Sequence, residues 1–455
     1  MKRRFTVILL LLVAVAAMAG KQPKYIFYFI GDGMGPSHVI GTELYLGETK
    51  GVIGRPHKLC FTQFPVTSFV STFSASNGVT DSAASGTALA TGHKTNNGCI
   101  GVTPDESPVY SVAHYAKEAG YAVGVSTTVC INHATPGAFY AHQKSRSYYP
   151  QIAKEMLNAG YDFYAGGDPV CSNEERAALY AQAQEEGYAI ARGYDDYSTK
   201  RKAAKMMLYQ KEVATEIPYT IDRNSDDLTL AQITEAGIDF LMSKKKKGFF
   251  FMVEGGKIDY ASHDNDAATM MHEVLDFNDA IAVAVDFYNK HKDETLIVVT
   301  ADHETGGFVL GFNGSYSLNL KALSGQKVSE DELENILIAA ANKGSLSWED
   351  TKNILTDKMG LWNEAKIDEK QEQRLKELFN STMGAEDKEK RDSRLRSIAN
   401  TAKQLVSYSA VISWASGNHS GTFVPLFAIG KGAELFNGVI DNTDVPKLIK
   451  KAGRY

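Results

Sequence analysis

The stretch KYIFYFIGDGMG, residues 24–35, decides the fold. Residues 24–30 are a continuous apolar run closed by glycines, the pattern of a short strand buried on both faces in a parallel sheet. Gly31, Gly33 and Gly35 then bracket Asp32 and Met34. The spacing is not the G-x-G-x-x-G of a phosphate loop, and an acid stands where a phosphate cradle needs none. Asp-Gly is ordinary turn chemistry, but an acid held in a tight glycine turn at a strand end also suits a cation.

The same pattern recurs. FFFMV (residues 249–253) runs into Glu254-Gly255-Gly256, and TLIVVT (residues 295–300) runs into Ala301-Asp302-His303. Between these strands the chain reads as alternating helices (111–119, 150–159, 229–242, 267–291) and strands (121–129, 162–165), which predicts an α/β fold with a mostly parallel sheet. Active sites of such sheets gather at the carboxyl ends of the strands. Three acids at three strand ends, with His303 beside one and the Asp259/His263 pair four residues apart on one helical face beyond another, predict a functional cluster. Residues 77–92, NGVTDSAASGTALATG, follow a strand-like segment (66–73) and turn small and helix-compatible after Ser82. Ser82 is thereby expected near a helix N-terminus, where free N–H groups favour an anion, with Asp81 or Ser82 as the cap. No G-x-S-x-G elbow and no local Ser–His–Asp arrangement accompany it.

At 455 residues with 44% hydrophobic and 22% charged residues and a net charge of −6, the chain has a globular composition, and its mildly acidic balance argues against nucleic-acid binding. Lys2, Arg3 and Arg4 precede an apolar run (5–17) and a small-x-small site at Ala17-Met18-Ala19, which predicts a signal peptide at residues 1–19, an exported mature chain of residues 20–455, and no membrane span after cleavage. Export permits disulfides among Cys60, Cys99, Cys130 and Cys171, in a pairing the sequence leaves open, and no C-x-x-C motif points to thiolate metal binding. Residues 171–228 read as polar and helix-rich, without chemistry. Residues 313–408 read as charged amphipathic helices, a helical insertion into the α/β core whose removal is expected to spare the site. Beyond it, Gly417-Asn418-His419-Ser420-Gly421 presents a histidine between glycines, and a strand (424–429) and short helix (445–451) close the chain.

Carboxylate and imidazole ligands without thiolates suit zinc, and all-oxygen sets suit magnesium. FIGDGMG, VTDSAAS with ATGHKTNNG, HATPGAFYAH followed by SR, VEGGKIDYASH, TADHETGG and GNHSG, in this order, resemble the motifs of the alkaline phosphatase family. The resemblance implies a three-layer α/β/α sandwich with two zincs and one magnesium around a serine nucleophile. Carried over by position, Asp259, His263 and His419 hold the first zinc, and Asp32, Asp302 and His303 the second, which faces Ser82. Asp32, Thr135 and Glu254 hold the magnesium, with Asp32 bridging. Arg146 clamps two phosphate oxygens and is oriented by Asp81. His133 stands where some members have an aspartate supporting magnesium, and Tyr260 where some carry a lysine; both leave the third metal's identity open. The implied activity is hydrolysis of small phosphate monoesters through a phosphoserine, in an enzyme that is a possible homodimer. The competing readings are a phosphodiesterase or sulfatase sharing the metal core, and a non-catalytic metal-binding protein. The arginine fork disfavours the diesterase, the missing C/S-x-P-x-R context the sulfatase, and the serine and arginine together the non-catalytic protein.

Overall fold

The computed structural model describes residues 22–312, 314, 316–344, 346–385 and 387–455. The predicted signal segment and Asn313, the start assigned to the helical insertion, lie outside the described residues. In chain order the strands are β1 (Tyr25–Gly31), β2 (Val66–Ser71), β3 (Ala122–Cys130), β4 (Phe163–Gly167), β5 (Tyr188–Arg192), β6 (Lys205–Tyr209), β7 (Phe249–Gly255) and β8 (Thr295–Thr300). They continue with β9 (Glu304–Thr305), β10 (Phe308–Leu310), β11 (Ile412–Trp414), β12 (His419–Ser420), β13 (Val424–Gly430) and β14 (Gly438–Asp441). Ten of them form one sheet in the order β14-β2-β13-β8-β1-β7-β3-β4-β6-β5. It is parallel except at β13, which runs antiparallel to both β8 and β2. Helices flank the sheet, so its central strands are buried on both faces and read as unbroken apolar runs.

Register is what makes the site. Ile30 of β1 pairs with Glu254 of β7 on one side and with Thr300 of β8 on the other. Three parallel strands therefore end level, and the residues that follow them emerge at one edge. Val253 of β7 pairs with Ser126 of β3, so the segment leaving β3 toward His133 and Thr135 joins the same edge.

One stretch departs from its reading. The polar, helix-rich residues 171–228 supply two strands, β5 and β6, which pair in parallel and close one end of the sheet. Lys205 opens β6, whose buried apolar run is only Met206–Tyr209, while Tyr188–Arg192 sits on the sheet edge with half-buried residues and closes with the charge of Arg192. An edge strand buries too little for a clear apolar signal. All four cysteines are free.

The chain leaves the α/β layers through β10 and returns through β11, which pair with each other antiparallel. Between them lie helices Glu330–Asn342, Trp348–Met359, Glu369–Met383 and Lys388–Ser409. They bury Leu333, Leu337, Leu355, Leu375, Leu395 and Ile398 among themselves. Polar contacts tie them back to the core: Gln326 and the Glu330 amide bond the Asp266 carboxylate, and Lys403 donates to the Asp264 carbonyl and pairs with Glu330.

Candidate active site

Asp81 caps helix Ser82–Thr91, its carboxylate accepting from the Ala84 amide at 3.0 Å, so Ser82 is the first helical residue. The helix is made of small residues, and at Gly86 an added Cβ would come within 3.2 Å of the Thr135 backbone. That close approach sets Ser82 beside the segment following β3. Gly33 is constrained more tightly. Its φ is +75°, and a Cβ there would lie 2.8 Å from the Thr305 hydroxyl and 2.9 Å from the Asp259 backbone.

Around Ser82 the predicted residues fall into three overlapping groups. Asp32, Asp302 and His303 present ligand atoms all within 4.8 Å of one another; so do Asp259, His303 and His419, and so do Asp32, His133 and Glu254. His303 Nε2 lies 3.2 Å from Ser82 Oγ, 3.2 Å from Asp302 Oδ2 and 3.4 Å from Asp32 Oδ1. His263 joins the second group from its outer side, with Nε2 3.2 Å from Asp259 Oδ2 and 3.2 Å from His419 Nε2. It is the most exposed of these ligand candidates, with 36% of its side chain accessible. Thr135 Oγ1 donates to Asp32 Oδ2 over 3.4 Å, and Thr127 donates to Glu254.

The Ser82–His303 contact invites a serine–histidine base. The surroundings argue otherwise. In a triad the orienting carboxylate sits at the imidazole nitrogen remote from the serine. Here Asp32 and Asp302 crowd the same nitrogen that faces Ser82, and a threonine hydroxyl occupies the other side. Burial, then His419, drive the His303 pKa well below its ordinary value, which makes it a poor base.

The donor chemistry instead fits cations. Asp32 Oδ1, Asp302 Oδ2, Glu254 Oε1 and His133 Nδ1 are buried without any hydrogen-bond partner. Burial first, and neighbouring carboxylates second, push Asp32 and Asp302 well above the usual carboxylate range. Burial likewise raises Glu254 to about 7. Burial opposes charge on Asp259 too, but the His263 hydrogen bond and the positive fields of His303, His263 and His419 together outweigh it and hold that carboxylate low. His263 is correspondingly raised to about 9, mainly by its hydrogen bond to Asp259. The imidazoles are set to present Nε2 inward. Nδ1 of His263 donates to the Gly417 carbonyl at 2.7 Å and Nδ1 of His419 to the Thr80 carbonyl at 2.8 Å, tautomers assigned from those acceptors. Buried carboxylates without hydrogen-bond partners, together with the inward-facing Nε2 lone pairs of His263 and His419, are a ligand set for positive ions.

Arg146 closes the anion side. Its Nη1 donates to Asp81 Oδ2 at 3.2 Å and its Nη2 to His133 Nε2 at 3.0 Å. Burial opposes its charge, while Asp81 and Asp32 more than restore it. His133 is lowered to about 3 by burial and then by Arg146, so it stays neutral. Tyr260 meets the His133 ring edge-on at 5.9 Å, and the Lys257 ammonium, paired with Glu216 at 2.5 Å, lies 5.4 Å from the Tyr260 ring. All the predicted site residues thus converge. Missed by sequence reasoning were Thr127 and Thr305, whose hydroxyls hold ligand side chains; an isolated threonine carries no signal of such a role.

The alkaline phosphatase family model matches residues 23–165 and 178–455. The chain is 33% identical over 442 residues to alkaline phosphatase 3 of Bacillus subtilis, covering 95% of this chain and 89% of that protein. A cold-active alkaline phosphatase from a psychrophilic Shewanella sp. superposes with a TM-score of 0.81 at 30% identity, covering 94% of this chain and 99% of that one. A histidine-to-aspartate mutant of the TAB5 alkaline phosphatase, with Mg bound in its M3 site, superposes with a TM-score of 0.66 at 27% identity, covering 96% and 99%.

Proposed function

The chain belongs to the alkaline phosphatase family, and we propose that it hydrolyses small phosphate monoesters through a phosphoserine on Ser82, at a site holding two zinc ions and a magnesium. The observation that carries the proposal is the convergence of Ser82 Oγ, His303 Nε2 and the Asp32 and Asp302 carboxylates, with Asp32 Oδ1 and Asp302 Oδ2 left unpartnered in the interior. Asp259, His263 and His419 would hold one zinc and Asp32, Asp302 and His303 the other, while Asp32, Glu254 and Thr135, with His133 beside them, would hold the third ion. Bound there, the metals supply Lewis acidity that lowers the serine hydroxyl pKa and neutralises charge in the transferring phosphoryl group.

The chain's own groups do the rest. Arg146, held by Asp81 and His133, offers a planar fork to two non-bridging oxygens of a monoester dianion. The N-terminus of helix Ser82–Thr91 adds a favourable field at the anion. Ser82 Oγ displaces the ester oxygen in line, and water then displaces the serine, so two inversions give net retention at phosphorus. His133 at this position bears on the choice of third ion: it offers a neutral imidazole where an acid would favour magnesium, and the TAB5 mutant in which a histidine became aspartate carries Mg in its M3 site. Export is proposed from the basic and apolar pattern before Ala19; among the described residues no helix is long and apolar enough to cross a membrane.

The test is phosphoenzyme trapping. Wild-type protein incubated with an aryl phosphate monoester should yield one acid-stable phosphate on Ser82, and Ser82→Ala should yield none while retaining zinc. Phosphate trapped on another residue would overturn the nucleophile assignment.

A further inference from the structure

We propose that Thr305 is a positioning residue that orders both zinc sites at once, fixing the His303 tautomer and aiming the Asp259 carboxylate through a single hydroxyl. The inference rests on the metal reading above and deepens it.

The argument is a proton count. Thr305 Oγ1 lies 2.5 Å from Asp259 Oδ1 and 3.2 Å from His303 Nδ1. A hydroxyl carries one proton, and a carboxylate can only accept. The proton therefore goes to Asp259, and toward His303 the oxygen can act only as an acceptor. His303 must carry its hydrogen on Nδ1, which leaves the Nε2 lone pair pointing at Ser82, Asp32 and Asp302. His263 and His419 obtain the same tautomer from backbone carbonyls. His303 obtains it from a side chain, which makes it the one imidazole of the three whose orientation a single substitution can release.

Thr305 is itself fixed on every side. Its backbone faces His419 across the β9–β12 pair, and its amide donates to the Gly33 carbonyl at 3.1 Å, next to Asp32. It is fully buried, and the missing side chain of Gly33 makes room for its hydroxyl. The residue thus touches the segments carrying Asp32, Asp259, His303 and His419. Through one atom it bonds both Asp259 and His303.

Thr305→Val keeps the shape and removes the hydroxyl; Thr305→Ser keeps the hydroxyl. Two quantities are read on the full-length protein: the rate at which bound zinc passes to a chelator, and the His303 Nδ1–H signal in histidine-15N NMR. We expect Thr305→Val to lose zinc roughly 10- to 100-fold faster from both sites, as for other residues that orient metal ligands. Its His303 Nδ1–H should exchange faster with water, and Thr305→Ser should restore both readouts. If Thr305→Val does not fold, Thr305→Ala reads the same two quantities. Zinc retention and His303 exchange within twofold of wild type in the hydroxyl-free variant would overturn the proposal. So would a serine variant that behaves like valine. Wild-type protein that takes up no zinc would instead sink the metal reading, while the His303 signal would still decide the part assigned to Thr305.

Discussion

Arg146 is held from two directions, by the Asp81 carboxylate on one terminal nitrogen and by His133 Nε2 on the other. The pair Arg146–His133 would join the proposed phosphate fork to the proposed third-metal group, because His133 also stands with Asp32 and Glu254. Substitutions at either residue should therefore be felt in both places.

Arg146 should set the preference for monoesters. A monoester dianion has three non-bridging oxygens and leaves two for the guanidinium, whereas a diester leaves one donor pair facing an ester oxygen. Arg146→Ala should lower kcat/KM for an aryl monoester by on the order of a hundredfold, a few kcal/mol of lost bidentate contact, and affect the matched diester far less. Equal proportional losses at constant zinc content would reopen the phosphodiesterase reading.

His133→Asp adds a carboxylate beside Asp32 and Glu254 where a neutral imidazole now sits. Magnesium affinity should rise and any preference for softer ions should fall, since hard oxygen ligands favour magnesium. The same change removes an acceptor from Arg146 and supplies a charged one, so KM for the monoester should shift as well. Titrating magnesium and cobalt into zinc-filled protein checks this, and unchanged ion preference would refute it.

His38 is a buried histidine outside the ligand groups. Ser262 Oγ donates to the Ile258 carbonyl and so accepts from His38 Nε2–H at 3.1 Å, leaving Nδ1 without a partner. Glu304, 3.9 Å from Nδ1, is engaged by the Gly307 and Phe308 amides and by Ser420. Burial lowers the His38 pKa from 6.5 to about 4. The native state then binds fewer protons than the unfolded chain between those values, so this stability is complete above pH 6.5 and is lost as pH falls toward 4. It amounts to about 3 kcal/mol. In chelator, His38→Gln should lose less stability than wild type between pH 7 and pH 4.5 in urea unfolding. Identical acid losses would count against it.

Lys403 links the helical stretch to the site. Its side chain is 3% exposed, pairs with Glu330 and donates to the carbonyl of Asp264, the residue after His263. Lys403→Met leaves a largely buried carboxylate unpaired and should cost about 3–5 kcal/mol. It should also speed zinc loss from the group containing His263 and His419. Replacing residues 313–408 by a linker, expected from composition to spare the metals, should by this contact weaken that group too. A Lys403→Met protein with wild-type stability and zinc retention would show that the contact is idle.

Much of this molecule is written locally. A strand buried on both faces must be apolar throughout, so the runs before Asp32, Glu254 and Asp302 are legible, and a helix start must cap its amides, so the Asp81–Ser82 boundary is too. The candidate site residues could be named in advance because metal-binding chemistry draws on a short menu of side chains, carboxylates and imidazoles, that stand out in the sequence. Strand β5 was hidden because a half-buried edge strand lacks an apolar run, and β6 because its buried run, Met206–Tyr209, is short and set in a polar stretch. Tertiary structure alone decided that Ile30 pairs with both Glu254 and Thr300, which brings acids more than two hundred residues apart to one edge. It alone set Asp32 and Asp302 at the imidazole nitrogen facing Ser82, the arrangement that separates a metal site from a serine–histidine base. Register, proton placement and the direction of a lone pair depend on distances between segments remote in sequence, and no local pattern of residue types encodes them.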